Sequence, residues 1–170
     1  CLNASGRLDT AKKAMDLLEC EDEKHAEVLA EALKKLNDER KDLTEKGTKE
    51  AIEKAEQLDD SVLVIYLEHC HESIAGIIAG RVREKYNKPT IVLTDAVEGV
   101  KGSGRSIEEY DMYAELTKVK ELFTKFGGHK MAAGVSLPKE NIDILRKKLN
   151  ENCNLTQEDL YLKVWIDMQL

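Results

Sequence analysis

Apolar positions fall into two regimes along the chain. Over residues 9–58 they are sparse and helix-spaced. Ala11, Ala14, Met15 and Leu18 form one stripe, and Ala26, Leu29, Leu33, Leu36, Arg40 and Leu43 follow at steps of three and four. Ala51, Ile52 and Ala55 then resume the pattern. Such steps place side chains on one side of an α-helix. They predict a helix from Asp9 to about Asp22, with Asp9 or Thr10 as its N-cap, and a longer helix from Glu23 to about Lys46. Gly47 is expected to break that helix, and a further one runs from Thr48 to Leu58. Residues 1–8 read as a loop or turn. One narrow seam on a long polar helix suits a connector between domains, and its charge run suits a solvated face.

From residue 62 the pattern becomes denser and alternates between periods. Val62–Tyr66 is a continuous apolar run and predicts a buried central strand. Ser73–Tyr86 predicts a helix with Ile74, Ile77, Ile78 and Val82 inward, stopped by Asn87-Lys88-Pro89. Thr90–Thr94 is a second strand, so the unit reads as a right-handed parallel crossover. Val100–Ser106 is expected to return antiparallel. Residues 109–125 are helical, in one or two pieces, with Tyr113, Leu116, Val119, Leu122 and Phe123 inward. A Gly-Gly-His turn leads to a strand at Met131–Leu137. Pro138 then suits the N1 position of a helix whose inward stripe is Ile142, Leu145 and Leu149. Leu160–Met168 is strand-like. The class is α/β, a mixed β-sheet flanked by helices and preceded by a long connector helix region.

Composition bounds the function. The chain has 170 residues, 35% charged and only 5% aromatic, enough for one domain and an appendage. No apolar run approaches the ~20 residues needed to span a bilayer, no secretory-leader pattern is present, and no membrane partner is expected. Cys1, Cys20, Cys70 and Cys153 are scattered without a Cys-x-x-Cys pair. That speaks against a zinc site or a disulfide framework and fits a reducing cytoplasm. The net charge of −7 argues at first against a nucleic-acid partner. Residues 1–60, however, carry 11 basic and 17 acidic side chains, which accounts for nearly all of it. Within 117–136, Lys118, Lys120, Lys125 and Lys130 face only Glu121, so an acidic total leaves room for a basic groove.

Two glycine clusters carry the candidate chemistry. Phe126-Gly127-Gly128-His129-Lys130-Met131-Ala132-Ala133-Gly134 is almost free of side-chain bulk. On glycines alone a tight turn feeding a buried strand is the simpler reading. The second cluster, Gly99-Val100-Lys101-Gly102-Ser103-Gly104-Arg105-Ser106, shifts that balance. In an extended segment Ser103 and Arg105 share a face, and a hydroxyl beside a guanidinium makes a phosphate seat. Gly99-x4-Gly104-Arg105-Ser106 is near a P-loop pattern, but no buried strand runs from it directly into a long helix. His69 and His71 flank Cys70 and share a face if extended, yet two ligands are too few for a metal. His71 reads better as a ligand-facing group at the carboxyl end of a strand, beside a helix N-terminus.

Four ordered motifs together resemble a known family. They are Leu2-Asn3-Ala4-Ser5-Gly6-Arg7-Leu8, His71-Glu72-Ser73-Ile74-Ala75-Gly76-Ile77-Ile78-Ala79-Gly80-Arg81, Gly102-Ser103-Gly104-Arg105-Ser106 and Phe126-Gly127-Gly128-His129-x-x-Ala-Ala-Gly134. The chain is similar to the RecJ family of single-strand-specific DNA exonucleases, within the DHH phosphoesterase superfamily. The tryptophan that usually precedes the histidine in this family is replaced here by Cys70, so its role does not carry over.

The resemblance implies a helical connector over 1–57 from an N-terminal DHH catalytic domain. It implies a DHH-associated α/β substrate-binding domain over 58–152, and over 153–170 a linker with the first strand of an OB-fold domain. The chain opens at Cys1 inside a motif, so a piece of a longer protein is expected. The implied activity is 5′-to-3′ degradation of single-stranded DNA in recombination and repair. The two divalent metals (Mn or Mg) would be held by the DHH half; no cofactor, metal ligand or catalytic residue is expected here. Phosphate contacts fall to Arg7, Ser103, Arg105, Gly127, Gly128, His129 and Gly134, with Asn3, His71 and Lys130 as further candidates. Tyr110, Tyr113 and Phe126 are available for base stacking. Rival readings are a DHH phosphodiesterase for small nucleotides, an RNA-binding appendage, and a purely structural domain.

Overall fold

The computed structural model describes residues 2–163. Three helices come first: α1 (Leu2–Leu8), α2 (Lys12–Leu18) and α3 (Glu23–Ala55). The opening residues are therefore helical rather than a loop. Ala4 and Ser5 are buried, and the Ser5 hydroxyl turns back to donate to the Leu2 carbonyl at 2.9 Å. Neither Asp9 nor Thr10 caps α2, which starts after Ala11 without a side-chain cap. Asp9 instead accepts from the Thr10 N–H and pairs with Lys13. Asp22 caps α3 by accepting from His25 N at 3.2 Å.

Helix α3 passes through Gly47 unbroken. A Cβ on Gly47 would lie 2.6 Å from Ile78 Cδ1 of the next helix, so the glycine permits close helix–helix approach. The inward stripe follows the expected seam through Ala26, Leu29, Leu33, Leu36 and Arg40, takes in Asn37 as well, and leaves the seam only at Leu43, where Thr44 turns in instead. Leu33, Asn37, Thr44, Ala51 and Ala55 are buried, whereas Leu43 is 38% exposed. Thr44 satisfies its hydroxyl on the Arg40 carbonyl at 2.7 Å and Asn37 accepts from Arg40. These short, internally satisfied side chains sit where longer leucines would hold the helices apart.

Strands β1 (Leu63–Tyr66) and β2 (Thr90–Asp95) are parallel, joined by α4 (Glu72–Tyr86). Helix α4 ends at Asn87 in the left-handed region (φ 48°), just before Lys88-Pro89. Strand β3 (Val100–Arg105) runs antiparallel to β2, as the pattern predicts. Residues 109–125 are less helical than expected: α5 covers Met112–Thr117, and a 3-10 turn covers Lys120–Leu122. The Gly-Gly-His stretch is not a turn. It is strand β4 (Lys125–His129), paired antiparallel with β5 (Ala132–Leu137), and Lys130-Met131 make the turn. Pro138 precedes a 3-10 turn (Lys139–Asn141) rather than occupying a helix N1 position, and α6 spans Ile142–Glu151. The strand expected over Leu160–Met168 falls largely outside the described residues.

The sheet order is β1-β2-β3-β5-β4. Alternation along β1 and β2 splits their side chains between two cores, while β3 and β5 send one face into the second of these. Leu63, Ile65 and Val92 join Ala51, Ala55, Ile74 and Ile78 under α3 and α4. Val64, Ile91, Leu93 and Val135 join Met112, Leu116, Leu145 and Leu149 under α5 and α6. The outer edge of β1 is sealed by side chains. Asn150 accepts from Ser61 N and Val62 N and donates to the Val62 carbonyl, each at 2.9 Å. Arg146 donates to the Val64 carbonyl and Lys54 to the Tyr66 carbonyl. Sealing of this kind removes an edge that could pair with another chain.

Candidate nucleic-acid interface

Strand register decides which candidate residues meet. Ser103 pairs with Gly134, and Gly134 with Gly127; Arg105 pairs with Ala132, and Ala132 with His129. Residues opposite one another share a face. Ser103, Arg105, Gly127, His129, Ala132 and Gly134 therefore lie on one face, the face on which α4 packs. Lys101, Lys125 and Ser136 lie there too by the same register. Helix α4 rests on β2 and β3. Farther along, a Cβ built on Gly127 or Gly134 would meet nothing within 4 Å. The result is an open shelf of main chain bordered by a serine, an arginine and a histidine.

The glycines of β3 differ. A Cβ on Gly102 would lie 2.2 Å from the Val92 carbonyl oxygen, and one on Gly104 would lie 3.2 Å from Met112 Sδ. Packing requires Gly102, and a side chain at 104 would have to displace the end of Met112. No such contact requires Gly127 or Gly134 to be glycine, and what their smallness leaves is access to the backbone.

Arg105 is half-buried, and its Nη1 donates to the Gly104 carbonyl at 2.7 Å. Room for its guanidinium comes from Gly76 of α4, where a Cβ would lie 2.7 Å from Nη2. Burial, then the nearby positive charges of Arg7 and Arg83, hold the Arg105 pKa below the usual arginine value. Its charge is thus disfavoured where it stands, and a bound anion would relieve that. Arg7 reaches in from α1 and donates to the Ser73 carbonyl at 2.7 Å. Among the described residues neither Arg7 nor Arg105 has a carboxylate within ion-pair distance, whereas Lys101 pairs with Glu72 at 3.2 Å. His129 Nδ1 accepts from Met131 N at 3.2 Å. That fixes the proton of the neutral ring on Nε2, which remains a donor.

Other candidates lie elsewhere. Gly128 belongs to the opposite face, paired with Ala133, and a Cβ there would lie 2.3 Å from the Ala132 carbonyl oxygen. Its smallness is a backbone requirement, not part of the shelf. Lys130 sits on the β4–β5 turn, paired with Glu108 at 2.7 Å. His71 caps α4, accepting from Ser73 N at 3.3 Å. Asn3 is exposed one turn before Arg7 on α1. The aromatics are also misplaced for the shelf. Tyr110 is buried in the α5–α6 core, and Phe126 pairs with Val135 of that core and packs on Phe123 and Tyr113. Sequence spacing missed Gly76 as the residue that seats Arg105; helical steps along α4 were the available signal.

Among the described residues no group of three or more His, Cys, Asp or Glu side chains is placed to hold a metal ion. The residues present do not fit a metal centre, and burial pushes the Cys70 thiol between the two histidines up to about 11.

A model of the DHHA1 domain matches residues 59–155. The chain is 40% identical over 164 residues to the single-stranded-DNA-specific exonuclease RecJ of Bacillus subtilis, a match covering 93% of this chain and 21% of that protein. It is 37% identical over 161 residues to the same-named protein of Escherichia coli, covering 88% and 28%. The solved structure of RecJ in complex with Mn2+ from Thermus thermophilus superposes with a TM-score of 0.81 at 27% identity, covering 88% of this chain and 22% of that one. The chain thus spans between a fifth and a third of the length of the RecJ proteins it matches. From the domain match and the fold together, the chain belongs to the DHHA1 domain family.

Proposed function

We propose that this chain is the substrate-holding part of a RecJ-like single-stranded-DNA-specific exonuclease, and that the open shelf carries the strand. The supporting observation is the juxtaposition of Arg105, seated under Gly76 without a carboxylate partner, with two glycines that no packing contact requires. A phosphate lying there accepts from the Arg105 guanidinium fork and from the Ser103 hydroxyl. His129 Nε2 adds a donor on the far strand. Arg7 approaches the same side from α1. A single strand fits because its backbone can lie flat on a surface without side chains. The reading assigns hydrolysis, and the Mn2+ or Mg2+ that supports it, to a DHH domain outside this chain.

The test is single-strand affinity by fluorescence anisotropy on a labelled oligo-dT, with a duplex of equal length as comparison. Arg105→Ala is expected to weaken binding about tenfold or more, since a hydrogen bond to a charged group contributes about 1.5–3 kcal/mol. His129→Ala is expected to weaken it less. Folded variants with unchanged affinity would reject the shelf. Competition by a dinucleotide as effective as that by the oligomer would favour a small-nucleotide phosphodiesterase.

A further inference from the structure

Beyond Arg105 lies a cavity that the shelf does not use. It has a volume of about 310 Å³ and is lined by Arg83 and Asn87 at the end of α4, by Ile107 and Met131, and by Tyr161. That volume is at the lower end of ligand-binding clefts, roughly 300–1,000 Å³. Arg83 stands two helical turns beyond Gly76, so it projects from the side of α4 that seats Arg105. Between them is Gly80, where a Cβ would meet nothing within 4 Å. The side of α4 between the two guanidinium groups is therefore free of side-chain bulk.

Arg83 is under-used by the protein itself. Among the described residues its Nε is buried without a hydrogen-bond partner. The one ion pair it makes among the described residues, Nη2 to Glu84, is long at 3.5 Å. The carboxylates at the cavity are occupied, Glu108 by Lys130 and Glu109 by Lys163. Tyr161 is 63% exposed, and its carbonyl accepts from Asn87 Nδ2 at 3.0 Å, which ties it to the end of α4. The cavity thus offers an unspent guanidinium and an accessible aromatic ring.

We propose that this cavity is a second nucleotide subsite, in which Arg83 holds the next phosphate of a strand anchored at Ser103 and Arg105 while Tyr161 stacks on its base. The proposal rests on the reading of the shelf as a single-strand site. It supplies the stacking surface that the shelf lacks, since Phe123, Phe126 and Tyr113 lie on the other face. The ligand class is a single-stranded phosphodiester with an unpaired base.

The experiment is anisotropy with a labelled 12-nucleotide oligo-dT and this chain at several salt concentrations, with circular dichroism melting of every variant. The variants are Arg105→Ala, Arg83→Ala, Arg83→Lys and Tyr161→Ala. Arg83→Ala and Tyr161→Ala are each expected to weaken binding about fivefold to tenfold, within the range measured for one stacked base. Arg83→Ala is also expected to reduce the salt slope by about 0.7, the value for one phosphate contact on a single strand. Arg83→Lys keeps the charge and should retain the slope. If Arg105→Ala weakens binding while Arg83→Ala and Tyr161→Ala change neither affinity nor slope, the subsite is overturned and the shelf stands. If Arg105→Ala also changes nothing, or the wild type does not bind, the shelf reading fails and the subsite with it.

Discussion

Gly102 and Gly134 are glycines on neighbouring strands, one register step apart, for opposite reasons. Gly102 faces the α5–α6 core across from Leu93, and its missing side chain makes room for the Val92 carbonyl. Gly134 faces open space. Gly102→Ala is therefore expected to cost about 1–3 kcal/mol, the range for overpacking. Gly134→Leu is expected to leave urea stability within about 0.5 kcal/mol, as for an exposed surface site, while weakening single-strand binding. Urea unfolding and anisotropy on the same two proteins check both halves. A stable Gly102→Ala, or a Gly134→Leu variant that binds normally, would contradict the assignment. Both glycine clusters were visible in the sequence, and so was the shared face of Ser103 and Arg105, because alternation in a strand is a local rule. Which glycines line the open shelf was not visible. That depends on pairing across three strands, and Gly128 falls on the wrong face for a reason that only register supplies.

At the scale of elements, the parallel crossover, the antiparallel return of β3 and the inward stripe of α6 follow from hydrophobic period. Where the elements depart from the local pattern, one cause recurs, tertiary contact overriding local propensity. Gly47 does not break α3 because α4 packs at that point. The Gly-Gly-His stretch is extended because β5 supplies hydrogen bonds that isolated glycines would not predict. Residues 2–8 are helical because Ala4 and Ser5 are buried in the helical layer. Nothing in the helix stripe of α6 marks Asn150 as a residue that seals a strand edge. It satisfies two N–H groups and one carbonyl at the start of β1. Asn150→Ala is expected to lower unfolding free energy by about 2–3 kcal/mol through unsatisfied backbone groups, with single-strand affinity unchanged for the folded fraction. Denaturant unfolding checks this, and an effect below about 0.5 kcal/mol, typical of surface substitutions, would contradict it.

Taken together, the described residues form a five-stranded sheet with two cores, one under α3 and α4 and one under α5 and α6, and with part of one face left open. The helix α4 rests on β2 and β3, and the shelf lies on β5 and β4 beyond them. The overall charge of −7 belongs mostly to the first 60 residues, and the shelf is bordered instead by Arg105, Lys125 and His129. The proposed strand path is tested most directly by a backbone amide NMR titration of this chain with oligo-dT. The account predicts that shifts concentrate on Lys101–Arg105, Lys125–His129 and Ala132–Ser136, with Arg7 and Gly76 also moving, and that Leu116, Leu145 and Leu149 stay still. Shifts centred on α5 and α6, with β4 and β5 unmoved, would contradict it.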